Sequence, residues 1–93
     1  MSRPLIRTNR FVRAARRMCR KRPQIDADFV RALELLAEDA FHPNLKTHKL
    51  RGSLRGSFAC SVTYDVRIIF EFVDDDGIES ILLQTVGTHD EAY

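Results

Sequence analysis

Between Phe58 and Val86 the chain reads FACSVTYDVRIIFEFVDDDGIESILLQTV, and the period of this stretch decides the fold class. Phe58, Cys60, Val62 and Tyr64 alternate with Ala59, Ser61 and Thr63, the two-residue repeat of a strand with one buried face. Val66 to Val73 is a second β-rich run and Ile78 to Val86 a third. Between these two, Asp74-Asp75-Asp76-Gly77 is an acidic hairpin turn whose glycine can take a positive φ. Three consecutive strands joined by short connections predict a small, mainly antiparallel sheet.

Upstream the period lengthens. PLIR, residues 4–7, can form a short opening strand, after which Thr8 or Asn9 can cap a helix whose apolar residues Phe11, Ala14, Ala15 and Met18 recur at helical spacing. Pro23 breaks that helix, and a second starts near Asp26 or Asp28 with Phe29, Leu33, Leu36 and Ala40 as its apolar stripe. The two make a helical hairpin. Residues 41–57, FHPNLKTHKLRGSLRGS, contain a proline and two glycines and little periodicity, which predicts a long, irregular, basic connection of the kind that often carries function. The order is β-α-α-β-β-β, an α+β fold with the hairpin packed on one face of the sheet. At 93 residues the expectation is one domain over 1–93, sharing one core between scaffold and site.

Hydrophobic residues at 44% and charged ones at 30% fit a folded, soluble protein rather than a disordered tail. No apolar run reaches membrane-helix length, and arginines occupy the place where a signal peptide needs its apolar core. The expected location is cytoplasmic, with no membrane partner. Cys19 and Cys60 lack any CxxC or Cys/His spacing and read as reduced thiols. The charges are segregated: Arg3, Arg7, Arg10, Arg13, Arg16, Arg17, Arg20, Lys21 and Arg22 all precede the first acid, Asp26, and acids dominate from Glu71 to Glu91. Lys46, Lys49, Arg51 and Arg55 form a second basic cluster. Two basic surfaces call for a polyanion, nucleic acid or an acidic protein, although a solvated helix face explains the first equally well.

The last strand runs into VGTHDEAY, residues 86–93. In an antiparallel pair the start of one strand lies beside the end of the next, so Asp65 and Arg67 can meet His89 and Tyr93, and His48 can join them if the basic connection folds back. There is no nucleophilic Ser/His/Asp set, no phosphate-cradling glycine loop and no metal-ligand spacing. Histidines, an aspartate and an arginine amid basic loops suit cleavage of RNA without metal or cofactor. In that reaction a base deprotonates a ribose 2′-OH, the alkoxide attacks phosphorus, an acid protonates the departing 5′ oxygen and cations steady the phosphate. The plainer readings are that Asp65 serves a turn, that Arg67 pairs with Asp65 or Glu71, and that His89 and Tyr93 cap the sheet.

HKLRGSLRG, CSVTYDVRIIFEF and the terminal GTHDEAY together resemble the RelE/ParE toxin superfamily and, within it, the YafQ-type messenger-RNA interferases of bacterial toxin–antitoxin pairs. The resemblance covers nearly the whole chain. It implies a RelE-like fold and cleavage of messenger RNA on the ribosome, with contacts to ribosomal RNA. It also implies inhibition by a cognate antitoxin in a heteromeric complex. His48, Asp65, His89 and Tyr93 correspond to family site residues, and Arg67 to an arginine that contacts the scissile phosphate. Lys46, Lys49, Arg51, Arg55, Arg13, Arg16 and Arg17 are the expected RNA-binding cations. Two positions depart from the family pattern: Ser61 stands where YafQ-type toxins have a histidine, and Val66 where they have a bulky aromatic. Serine is a poor base, so His48 and Asp65 become the candidates for base and His89 for acid. The same superfamily fold also serves ParE-like DNA gyrase inhibitors without enzymatic activity, which is the alternative function; binding RNA without turnover is a third.

Overall fold

The computed structural model of the chain describes residues 2–52 and 56–88. Strand β1 (Leu5–Arg7) leads through Thr8 into helix α1 (Asn9–Lys21). Thr8 caps the helix, its hydroxyl accepting from the Phe11 N–H at 3.1 Å. The helix stops at Arg22, ahead of Pro23, and a 3-10 turn over Pro23–Ile25 carries the chain into helix α2 (Asp26–Glu38). Asp26 and Asp28 lie in the first turn of α2, where the positive end of the helix dipole favours acids. Phe11, Ala14 and Met18 from α1 and Phe29, Ala32 and Leu36 from α2 face inward. Ala32 takes the place expected for Leu33, which is half-buried, and Ala40 is buried just past the end of α2.

Among the described residues four more strands follow: β2 (His48–Lys49), β3 (Phe58–Ser61), β4 (Val66–Asp75) and β5 (Ile78–Thr88). They make one sheet in the order β1-β5-β4-β3-β2. Only β1 pairs in parallel, Leu5 to Arg7 running beside Ile81 to Leu83; the other ladders are antiparallel. The expected α+β fold and element order therefore hold, with β2 as an addition. That strand is two residues long, too short for any period to announce it. One face of the sheet, with Cys60, Val66, Ile68, Phe70, Ile81, Leu83 and Val86, packs on the helices as the core. Cys60 is fully buried and burial pushes its thiol up to about 12, whereas Cys19 is half-buried and also raised; both are free thiols. Among the described residues no helix is long and apolar enough to cross a membrane.

The first of the three expected strands is shorter than its alternation suggests. It ends at Ser61, and Val62–Asp65 form a bend in which Tyr64 is 88% exposed instead of lying on the buried face. The Val62 N–H donates to the Val66 carbonyl at 2.9 Å, closing the bend. The next connection behaves as its sequence predicts. Asp75 pairs with Ile78, leaving Asp76 at φ 57° and Gly77 at φ 87° as a two-residue turn, and the Gly77 N–H donates to the Asp74 carboxylate at 2.7 Å.

The β4–β5 ladder carries one irregularity. Ile69 pairs with Thr85 but Phe70 with Leu83, so Gln84 is an extra residue in β5. It is held from two sides. The Thr8 hydroxyl donates to the Leu83 carbonyl at 2.8 Å and lies 3.3 Å from that of Gln84, and the Ser57 hydroxyl donates to the Gln84 side-chain oxygen at 2.8 Å. One hydroxyl thus starts α1 and fixes the bulge. Thr8→Ala should lower unfolding free energy by about 1–3 kcal/mol, a helix cap plus a part-buried hydrogen bond, while Thr8→Ser should keep most of it; urea denaturation of the two variants measures the difference.

Candidate active site

The bend between β3 and β4 is built by its own side chains. The Thr63 hydroxyl accepts from the Val66 N–H at 3.2 Å and donates to the Asp65 carboxylate at 3.1 Å, the local hydrogen bonding that makes Thr and Asp turn formers. Arg22, at the end of α1, crosses 43 residues of sequence to reach the same carboxylate, one guanidinium nitrogen lying 2.9 and 3.2 Å from its two oxygens. The Arg22 hydrogen bonds, above all, and that from Thr63 hold the Asp65 carboxyl below its ordinary value of 3.8, against a smaller opposing effect of burial. Asp65 is therefore a fixed negative charge and an unfavourable proton acceptor. Arg22 was not among the residues the sequence suggested. It is one arginine in a run of nine cations, and nothing local distinguishes it.

Arg67 stands in β4, two residues past the end of the bend. Its guanidinium donates to the Thr63 carbonyl at 2.9 Å and the Val66 carbonyl at 3.3 Å. Neither Asp65 nor Glu71 pairs with it, so the plainer reading of Arg67 as the partner of one of these two acids does not hold. Its acceptors among the described residues are neutral, and no carboxylate of those residues pairs with its charge. Across the sheet, Val66 pairs with Thr88 and Arg67 with Gly87. The last described residues of β5 thus lie directly against the start of β4, beside Asp65. His89 and Tyr93, which follow, are outside the described residues, as is Arg55.

His48 lies on β2, opposite Ala59, which in turn faces Ile69. Directly paired residues share a face of a sheet, and Ser61–Arg67 is the pair two residues along from Ala59–Ile69. His48, Ser61 and Arg67 therefore belong to the face away from the helices. His48 is two strands, roughly 10 Å, across from β4 and about 7 Å along from the Arg67 row. Its Nδ1 lies 3.0 Å from the Lys46 carbonyl oxygen. Lys46, Lys49 and Arg51 are exposed around it, Lys46 adopting φ 51° as it ends the 3-10 turn Pro43–Leu45. Of the helical cations, Arg13 and Arg17 line an open groove between α1 and the end of β5, on the same side as Arg22; Arg16 is exposed but does not line it.

The family described as the bacterial toxin of type II toxin-antitoxin system, YafQ, matches residues 3–93. No curated protein matches the chain. Among solved structures, YafQ from E. coli strain BL21(DE3) superposes with a TM-score of 0.79 at 18% identity, over 98% of each chain. The E. coli DinJ-YafQ toxin-antitoxin complex gives 0.77 at 19% identity, over 100% of this chain and 99% of that one. The YoeB/ParE toxin from Agrobacterium tumefaciens gives 0.75 at 13% identity, over 92% and 98%. At these identities the structures share the fold.

The Arg22–Asp65 pair has a pH signature. Because the folded-state value of Asp65 is lowered, its stabilisation is complete above the ordinary carboxylate value of 3.8 and is lost as pH falls through the lowered one. Asp65→Asn should therefore be less stable than the unmodified chain at neutral pH, with the gap closing only below that value. Thermal midpoints measured across the acid range check this; a gap independent of pH would show that the Asp65 charge does not matter to the fold.

Proposed function

The chain belongs to the YafQ family of toxins of bacterial type II toxin–antitoxin systems, and from that premise we propose that it is a ribosome-dependent endoribonuclease that cleaves messenger RNA by acid–base catalysis with its own side chains. The observation that carries this reading is the register of β4 against β5: with Arg67 opposite Gly87 and Val66 opposite Thr88, the segment bearing His89 departs from beside Asp65 and Arg67. An anionic carboxylate and a guanidinium that no carboxylate among the described residues pairs with lie at the corner of the sheet from which that segment continues.

In this reading His89 protonates the departing 5′ oxygen, since histidine exchanges protons near neutral pH. Of the two candidates for base, His48 is favoured, because Arg22 holds Asp65 in its ionised form against taking up a proton. Asp65 instead orients the bend and steadies positive charge gathering nearby. Arg67 stabilises the phosphate as charge builds on it. Ser61, beside Arg67 on the same face, has the capacity to hydrogen-bond an RNA oxygen. Tyr64, fully turned out to solvent next to Asp65, offers a ring face to a base; Val66, buried in the core, cannot. Tyr93 is assigned to orienting the base or phosphate beside His89. Lys46, Lys49, Arg51 and Arg55 belong to the RNA-binding surface, as do Arg13, Arg16 and Arg17 on α1. The partner that restrains the activity is a cognate antitoxin, as DinJ is in complex with E. coli YafQ, and the setting is the cytoplasm, where ribosomes are.

The test is single-turnover cleavage of messenger RNA on programmed ribosomes with saturating protein, which separates chemistry from binding. His89→Gln should slow cleavage by about 10² to 10⁴-fold, roughly 2.7 to 5.4 kcal/mol of barrier. His48→Gln should slow it and lose the acidic limb of the pH profile, whereas Asp65→Asn should slow it and keep that limb. Tyr64→Ala should reduce the rate or the preference among cleavage sites, and Tyr64→Phe should spare both. Intact message together with gyrase-linked DNA breaks in cells expressing the protein would overturn the nuclease reading.

A further inference from the structure

The cations of α1 are not spread evenly around the helix. Arg10, Arg13, Arg17 and Lys21 follow one another at intervals of three or four residues and so occupy a single stripe, spaced about 4.5–6 Å apart along the axis. That stripe forms one wall of an open groove of about 540 Å³ whose other wall is the end of β5, with Thr85 and Thr88. Arg22 closes the groove at the Asp65 end. Among the described residues that line it none is acidic, and none of Arg10, Arg13, Arg17 and Lys21 is paired with a carboxylate of a described residue. Like charges at three- and four-residue spacing destabilise a helix, so this row carries a cost that a bound polyanion would relieve.

The groove exists because β1 is short. It pairs with β5 only over Ile81–Leu83, and from Thr85 onward the neighbour of β5 on that side is α1. Apolar atoms contribute little to the surface: the apolar side chains along the groove, Ala14, Met18 and Val86, are themselves buried at 5%, 7% and 6% exposure. A protein segment docks through an apolar centre, which this groove lacks. A phosphate backbone binds through charge and released counterions, which this groove supplies.

We infer that the groove between α1 and the end of β5 is the track for the sugar–phosphate backbone of single-stranded RNA, with Arg10, Arg13, Arg17 and Lys21 contacting successive phosphates and Arg22 joining the track to Asp65. The inference rests on the nuclease reading above and deepens it by giving the RNA a path to the cleaving corner. It also divides the helical cations. Arg13 and Arg17 serve the track; Arg16, on the same helix, lies outside it.

The test is fluorescence anisotropy of the full chain with a short, labelled 2′-O-methyl oligouridine, which cannot be cut, over a range of salt concentrations. Arg10→Gln/Arg17→Gln should bind about tenfold more weakly at low salt, and the slope of log affinity against log salt should become shallower by about 1.4, at about 0.7 per lost phosphate contact on a single strand. Arg7→Gln/Arg20→Gln removes the same charge outside the groove and should leave the slope unchanged. Arg10→Lys/Arg17→Lys should restore slope and affinity, which guards against a folding artefact. An equal loss in the Arg7/Arg20 pair would reduce the effect to net charge and overturn the track. So would groove-dependent binding of an oligoglutamate peptide with RNA binding unaffected, which would assign the groove to an acidic protein segment. Groove-dependent RNA binding by a protein that cuts no message would leave the track standing and remove the nuclease reading alone.

Discussion

Gln84 has no partner on β4, and the position of every residue after it follows from that. Side chains alternate faces along a strand, so a ladder without the extra residue would turn Thr85 toward the helices and Val86 toward the opposite face. With the bulge, Val86 packs in the core beside Ile68, and Gly87 comes to lie against Arg67. The register on which the candidate active site depends is thus set by one inserted residue. Its restraints come from distant parts of the chain, the cap of α1 at Thr8 and the end of the basic connection at Ser57. The start of the first helix, the path of the connection and the meeting of β4 with β5 are mechanically one problem.

At the other side of that meeting the decisive contact is electrostatic. Arg22 and Asp65 are each about a third exposed, so the pair is weakly stabilising for the fold; its larger effect is to fix the ionisation state of the carboxylate. Arg67 contributes in the opposite sense, its donors spent on main-chain carbonyls that hold its position while leaving its charge available. A carboxylate with an arginine partner and, just beyond the bend, an arginine with no carboxylate partner among the described residues keep a negative and a positive charge apart within a few residues.

The elements that were legible in the sequence are those with a period. Phe11, Ala14 and Met18 marked α1, Phe29 and Leu36 marked α2, and the Asp76–Gly77 turn marked the hairpin. Alternation misled at Tyr64, because Thr63 and Asp65 form local hydrogen bonds that end the strand before the pattern does. The bulge did leave a trace: Ile81 and Leu83 are two apart, but the next core residue, Val86, is three further on, a break in period that only makes sense once the partner strand is known. For the site, Asp65 and Arg67 could be found from their place at the head of a strand. Arg22 could not, since a pairing across 43 residues has no local signature, and the division of the α1 arginines into groove and outer face depends on where β5 passes.

The parallel pairing of β1 with β5 joins Leu5 to Ile81 and Arg7 to Leu83, the two ends of the fold. During synthesis the chain emerges from its N-terminus, so β1 has no strand to join until residue 83 has been made and has left the ribosome. The sheet therefore closes last and across its longest loop, the most entropically demanding contact in the molecule. A chain interrupted before β5 lacks not only one strand but also the seat of β1, the anchor for the Thr8 hydroxyl and one wall of the cationic groove. The architecture ties the seating of β1, the cap of α1 and the cationic groove to the synthesis of β5.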